Sequence, residues 1–434
     1  MASGRLFGGI LIFFALATIG TGITSYSLNA AMFKIYISPL LFDPAWSANF
    51  AIVLGIFLLR VRDLTMTSPS EAASLLSLSI MSAVISSAST ARLFIDLFEN
   101  DYNQIRYSMP TGFQIASTLV IDFVSLVIVV KQGKLLSSQE GRQSHRGISK
   151  FPLSIVMIIT GGIIYGLGLA IFSERFFNFS VISLHFQGVV IFVTGILGLI
   201  THKKNTDEMN VWYRVFATLA SGVSLSGMVV LVQTLVHYVN NIQDSEWSRA
   251  DFTVLTLCQA AFIIIGFVTS MLAIDASRFP ADDQNIAECS DPINVGILVS
   301  GLLASGIAAF MVAIMNFSTY GYIALMAGAM AYTSSRIGYA IQTTKSTVLK
   351  HPYLAVNLLT HVETLFSIGL IIFNYIALPF SSSAIIETSY AYNYIFMGIS
   401  IASMVPITLL TAKAVYESYK EPQESLILDD NPDI

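Results

Sequence analysis

Charge is what this chain has least of. Only 11% of its 434 residues are Asp, Glu, Lys or Arg, whereas 54% are hydrophobic. A soluble domain needs roughly a quarter of its residues charged to cover its surface, so a water-exposed globular fold is excluded. Cysteine is scarce as well: Cys258 and Cys289 give no disulfide framework. No Cys-x-x-Cys, His-Glu-x-x-His or Cys/His cluster occurs, which argues against a structural metal. Gly-rich phosphate loops are missing, and no His stands in a recognisable catalytic motif, so neither an enzyme nor a cofactor is expected. A nucleic-acid partner would need a basic surface that this composition does not supply.

Long apolar runs take the place of charge, and the mean hydropathy is +0.71. A bilayer core of ~30 Å needs about 20 apolar residues per helix. Twelve segments qualify: 6–27, 45–60, 71–95, 110–131, 151–173, 180–201, 211–239, 252–275, 293–316, 319–343, 353–380 and 392–415. They are continuously apolar and do not alternate, so the expected fold is all-α, a polytopic transmembrane bundle and not a barrel.

The segments repeat. The first copy opens with Leu6–Ser27, the second with Leu153–Ser173 and the third with Asn294–Met315. Second runs drain into basic residues each time: Arg60 and Arg62, Lys203 and Lys204, Arg336 and Lys345. Fourth runs begin near Thr111, Phe252 and Tyr392, so the period is about 140 residues. The reading is one four-helix module written three times, over 1–148, 149–289 and 290–416. The linker Lys131–Lys150 is basic and polar, Asp275–Pro292 is acidic, and the acidic tail 417–434 with Pro422 and Pro432 is expected to be disordered.

Basic residues set the orientation. With the N-terminus inside, seventeen Lys and Arg fall on the cytoplasmic side and only Lys34, Arg92, Arg106, Arg175 and Arg249 outside. Both termini are therefore expected in the cytoplasm, in a plasma membrane or an endomembrane of the secretory pathway. The first run is too long, and lacks a small-residue cleavage site, to be a cleavable signal. The glycosylation sequons at Asn178 and Asn316 then fall in the first outer loop of the second and third copies.

The second copy carries a resemblance. Phe186-Gln-Gly-Val-Val-Ile-Phe-Val-Thr-Gly-Ile-Leu-Gly-Leu-Ile followed by Thr201-His-Lys-Lys is similar to the second span of the membrane-spanning four-domain family, which includes the B-lymphocyte tetraspan antigen. Ala217-Thr-Leu-Ala-Ser-Gly-Val-Ser-Leu-Ser-Gly resembles that family's small-residue-rich third span. The likeness covers residues 155–275, and four-span vesicle proteins of the MARVEL type share the same length and topology. It implies membrane organisation, or association with receptors and channels. Family members are single modules, so a triple copy departs from their pattern.

Packing in lipid relies on small residues that let backbones approach. Gly162 and Gly166 form a Gly-x-x-x-Gly pair in the fifth segment, Gly301 and Gly306 follow serines in the ninth, and the third is Ser-rich from Ser77 to Ser89. Intramembrane ionisable groups are the candidates for chemistry, because burying them is costly. They are Asp122, His361 and Glu363, none of which recurs at the equivalent repeat position; His185, Gln187, Arg92 and Arg336 lie nearer span ends, where the arginines can snorkel. Since positions two apart diverge on a helix, His361 and Glu363 are not expected to share one site.

Two functions remain. One is a structural or partner-organising subunit whose partners are the lipid bilayer and other membrane proteins or a second copy. The alternative is a twelve-span secondary transporter or ion-conducting protein using Asp122 and Glu363. Against it, the period divides the chain by three, whereas transporters carry two halves.

Overall fold

The computed structural model describes residues 3–33, 42–61, 63–65, 67–99, 105–137, 150–173, 179–204, 206–241, 249–277, 291–315, 318–344, 347–377 and 387–428. Within them the chain is helical, with one α-helix for each apolar segment. They are α1 Gly4–Phe33, α2 Phe42–Arg60, α3 Pro69–Glu99, α4 Ile105–Ser137, α5 Lys150–Ser173, α6 Phe179–Lys204, α7 Asp207–Asn241, α8 Arg249–Ala276, α9 Pro292–Met315, α10 Ser318–Thr344, α11 Lys350–Ala377 and α12 Glu387–Leu428. Among the described residues, nine of these are long and apolar enough to cross a membrane, and α2 contributes a shorter apolar stretch. The protein is an all-α integral membrane protein.

Helix ends are chosen by local chemistry. Ser68 and Glu71 form a capping box at the start of α3: Ser68 N–H donates to Glu71 Oε2 at 3.0 Å, and Glu71 N–H donates to Ser68 Oγ at 3.3 Å. Thr206 Oγ1 accepts from Met209 N–H before α7, and Asp291 Oδ1 accepts from Ile293 N–H before α9. Basic side chains stand in the last turns of α2, α4 and α6, where the helix dipole favours them. In the α2–α3 turn, Asp63 accepts from the N–H and hydroxyl of Thr65, which hold its carboxyl below the usual carboxylate range. Hydroxyls inside the spans mostly turn back on the helix, as Thr194 does to the Val190 carbonyl and Thr360 to that of Val356.

The helices pack in three closed rings of four. In each group the first helix contacts the second, the second the third, the third the fourth, and the fourth returns to the first: α1–α4, α5–α8 and α9–α12. The rings meet through their second and third helices: α6 lies on α3, α10 on α7, and α2 on α11, while α3, α7 and α11 touch one another at the centre. Burial follows this plan. The apolar windows of α3, α6 and α11 are 61–83% buried, against 28–44% for α1, α4, α5, α8, α9 and α12. The outer helices carry exposed large side chains such as Phe13, Phe123, Ile159, Leu257, Leu303 and Leu409. Such a belt suits the acyl chains of a bilayer.

One contact sets how the first two helices of each ring cross. A Cβ on Gly55 would lie 3.0 Å from the Gly8 carbonyl oxygen and 2.7 Å from Ile12 Cγ1. A Cβ on Gly195 would lie 2.7 Å from the Ser154 carbonyl oxygen and 2.7 Å from Ile158 Cγ1. At the third place Ser335 donates its hydroxyl to the Asn294 carbonyl at 2.9 Å. Residues 55, 195 and 335 stand 140 apart. One turn on, Gly198 abuts Ser154 and Gly338 abuts the Asn294 side chain. A second crossing shares the period: Gly161 against Gly188 and Gly301 against Gly328, with the buried Ala48 standing 140 residues before Gly188 in the first ring.

These positions correct two expectations about packing. Gly162 and Gly166 have nothing within 4 Å of where a Cβ would sit, and neither does Gly306. A helix turns about 100° per residue, so Gly161 faces α6 while Gly162 beside it looks outward. A Cβ at Gly161 would fall 2.5 Å from the Phe192 backbone nitrogen. Gly301 does pack: its Cβ would meet Ala331 Cβ at 2.8 Å. In the tail, α12 continues past Glu417 to Leu428. Lys, Glu, Gln and Leu are good helix formers that carry the helix on, and Lys413 sits one turn before Glu417 with their charges 3.9 Å apart.

Replacement of Gly195 by Leu is expected to lower stability by about 1–3 kcal/mol, the range for overpacking. Gly162→Leu and Gly166→Leu should stay within about 0.5 kcal/mol of the parent, as outward-facing changes do. Thermal unfolding of the detergent-solubilised protein separates the two groups, and equal losses would contradict this packing.

Candidate functional site

Polar side chains gather where helices from different rings meet. Glu363 is 2% exposed on α11, and its Oε2 accepts a hydrogen bond from Asn49 Nδ2 on α2 at 2.6 Å. Asn49 lies eleven residues before Arg60, the last residue of α2, which at about 1.5 Å per residue places it roughly 16 Å along the span. An ionisable group at such depth requires a polar neighbour from another helix, and Asn49 provides it.

A second polar contact joins α3 to α6. Arg92 is 1% exposed, and its guanidinium donates to His185 Nδ1 at 3.0 Å. The imidazole lies tilted against the Tyr165 ring with centroids 5.2 Å apart, and Tyr165 Oη donates to the Ala88 carbonyl at 2.9 Å. Arg92 therefore does not snorkel to the surface as its place near a span end implied. Its guanidinium turns inward because a ring nitrogen on the facing helix accepts from it. Trp212 Nε1, near the start of α7, donates at 3.2 Å to Ser74 Oγ, near the start of α3, which connects the first and second rings.

The other polar groups work inside one ring. Asp122 on α4 faces the Ser87 hydroxyl on α3. His361 Nδ1 lies 3.0 Å from the Thr408 carbonyl oxygen, and the hydroxyls of Thr364 and Thr408 are 2.9 Å apart, both linking α11 to α12. The Ser-rich face of α3 pairs with α4 through Ser82 and Ser125 at 3.0 Å and Thr90 and Thr118 at 2.8 Å. Where α5 and α7 begin, Lys150 donates to Asn210 Oδ1.

The candidate residues thus do not converge. Asp122 faces Ser87, Glu363 faces Asn49, and His361 reaches α12 while Glu363 reaches α2. Asn178 and Asn316 lie outside the described residues. Where α2, α3, α7, α10 and α11 meet there is a small pocket lined by Phe50, Leu78, Trp212, Phe216, Met330 and Leu359 among others. Thr333 also borders it, with its hydroxyl bonded to the Ala329 carbonyl. Among the described residues no group of three or more His, Cys, Asp or Glu could hold a metal ion.

Asn49, Ser74 and Trp212 did not emerge from the sequence as polar partners. Asn49 had a legible signal, a lone amide within Ser47-Ala-Asn-Phe-Ala-Ile-Val-Leu, since an amide in an apolar run needs a partner as a charge does. Ser74 and Trp212 had none, because their pairing depends on how α3 meets α7. The chain matches no family model, no curated protein and no solved structure.

His185→Phe keeps a ring but removes the nitrogen facing a buried guanidinium, and is expected to cost about 1–3 kcal/mol. For the Ser82–Ser125 pair, each alanine substitution should cost about 0.6 kcal/mol and the double variant no more than either single one. A chemical or thermal unfolding cycle reads both, and full additivity of Ser82→Ala with Ser125→Ala would show that the two hydroxyls do not share a bond.

Proposed function

We propose that the protein is a non-enzymatic membrane scaffold of three tandem four-span modules, with twelve spans and both termini cytoplasmic, that organises partner proteins in the bilayer. The observation that carries this reading is the centre. Where the modules meet, Phe50, Trp212, Phe216, Met330 and Leu359 surround a small apolar pocket, and the intramembrane polar groups reach separate partners on neighbouring helices. A transport pathway draws its polar groups together around a substrate or ion near the midplane.

The contact plan supports the modular part of the reading. Each ring closes on itself, and the small residues 55, 195 and 335 take the same place in each. The resemblance of residues 155–275 to the membrane-spanning four-domain family supports the partner-organising part. The partners are other membrane proteins or a second copy, met through the outer helices, in a plasma membrane or a membrane of the secretory pathway. Seventeen cytoplasmic basic residues against five outside support the orientation.

The rival reading, ion-coupled transport through Asp122 and Glu363, is separated by two substitutions. In a scaffold, Asp122→Asn and Glu363→Gln leave partner association within about 1 kcal/mol of normal, because hydrogen bonds between membrane helices average only ~0.6 kcal/mol. A proton-carrying carboxylate cannot be replaced by an amide, so reconstituted flux abolished in either variant with normal thermal stability would establish transport. Orientation has its own check. An Arg142→Cys variant in intact cells should be protected from impermeant thiol reagents applied outside, and labelling there would reverse the topology.

A further inference from the structure

The three seams between modules are built alike but fastened differently. Each pairs the second helix of one module with the third helix of another: α6 on α3, α10 on α7, α2 on α11. Two of these join modules that follow one another in the chain. The third joins the first module to the last, through residues 314 apart in sequence.

The 140-residue spacing of 55, 195 and 335 aligns the second helices, and it places Asn49, Val189 and Ala329 in one register. Val189 and Ala329 are both buried. In the α7–α10 seam Ala329 meets a glycine: a Cβ on Gly222 would lie 3.1 Å from Ala329 Cβ. In the α2–α11 seam the same register position holds Asn49, which donates to Glu363 at 2.6 Å. Counting 140 on from Gly222 gives Val362, the residue beside Glu363. The seam that no linker spans directly is therefore the one that carries an amide facing a carboxylate.

We propose that the Asn49–Glu363 pair is the lock that closes the three modules into a ring and fixes which module lies against which. This rests on the three-module reading above. If the second helix of another module lay against α11, Glu363 would face Val189 or Ala329 and lose its amide donor. A buried carboxylate is penalised heavily for losing a partner, whereas an apolar contact such as Ala329 against Gly222 tolerates exchange of similar side chains. Three modules of one shape need such a discriminating contact, since shape alone does not tell them apart. Asn49 and Glu363 act as positioning residues that select module order.

The experiment has two arms on the full-length chain. In a Cys258→Ala, Cys289→Ser background, Asn49→Cys and Glu363→Cys are bridged by a short bis-methanethiosulfonate reagent, which forms a disulfide at each end, and the chain is then cut at protease sites placed in the 138–149 and 278–290 segments. The first and third modules should run as one disulfide-linked band, which reduction resolves. Absence of that band overturns the ring, and the modular reading with it.

The second arm tests the lock alone by melting. Asn49→Val and Glu363→Leu should each lower the melting temperature by several degrees. The exchanged pair Asn49→Glu with Glu363→Asn should recover most of the loss, because it restores one amide and one carboxylate at the contact. A role in space filling alone predicts no recovery by exchange, since each side chain then has the wrong size at its site. Formation of the cross-link together with unchanged melting in both single variants, or no recovery in the exchange, overturns the lock and leaves the modular reading standing.

Discussion

The close approach of two helix backbones at a residue without a bulky side chain is what the rest of the fold depends on. In lipid, helices gain nothing by hiding apolar surface from water, so their attraction comes from packing and from hydrogen bonds that need short interaxial distances. Gly55 on Gly8, Gly195 on Ser154 and Ser335 on Asn294 provide that approach once in each ring. With the first two helices pinned, the third and fourth have only one way to complete a ring. The second and third helices of each ring are then left facing the centre.

From that arrangement follows the division of labour among the helices. Central helices are buried by protein and can carry serine, asparagine, arginine and tryptophan, because partners from a neighbouring ring satisfy them. Ser74 with Trp212, Arg92 with His185 and Asn49 with Glu363 all lie there. Outer helices meet lipid and carry Phe, Leu, Ile and Val on the exposed side.

Much of this was legible in the residues. Continuous apolar runs located the helices, because a membrane span has only one way to satisfy its backbone, although α12 runs on past its apolar segment to Leu428. The failures have a common cause. Gly162, Gly166 and Gly306 fit the expected small-residue pattern, yet the pattern does not say which side of a helix faces its neighbour, and a one-residue change of phase turns Gly161 inward and Gly162 outward. The better signal was recurrence at the repeat spacing, as with 55, 195 and 335. Likewise Glu363 was recognisable as an intramembrane charge, but its partner lies 314 residues away and depends on how rings meet. Partner identity has no such local mark in the chain.

The polarity of α7 and α10 bears on how the protein is made. Asn210, Arg214, Thr218, Ser221 and Ser224 on α7, and Thr333, Ser334, Ser335 and Arg336 on α10, are poor passengers for a lone helix leaving the translocon. Their apolar predecessors α6 and α9 emerge first and lie against them in the finished fold. Biogenesis of such a chain is therefore expected to proceed by helix pairs, each polar span entering the bilayer against the apolar mate made just before it.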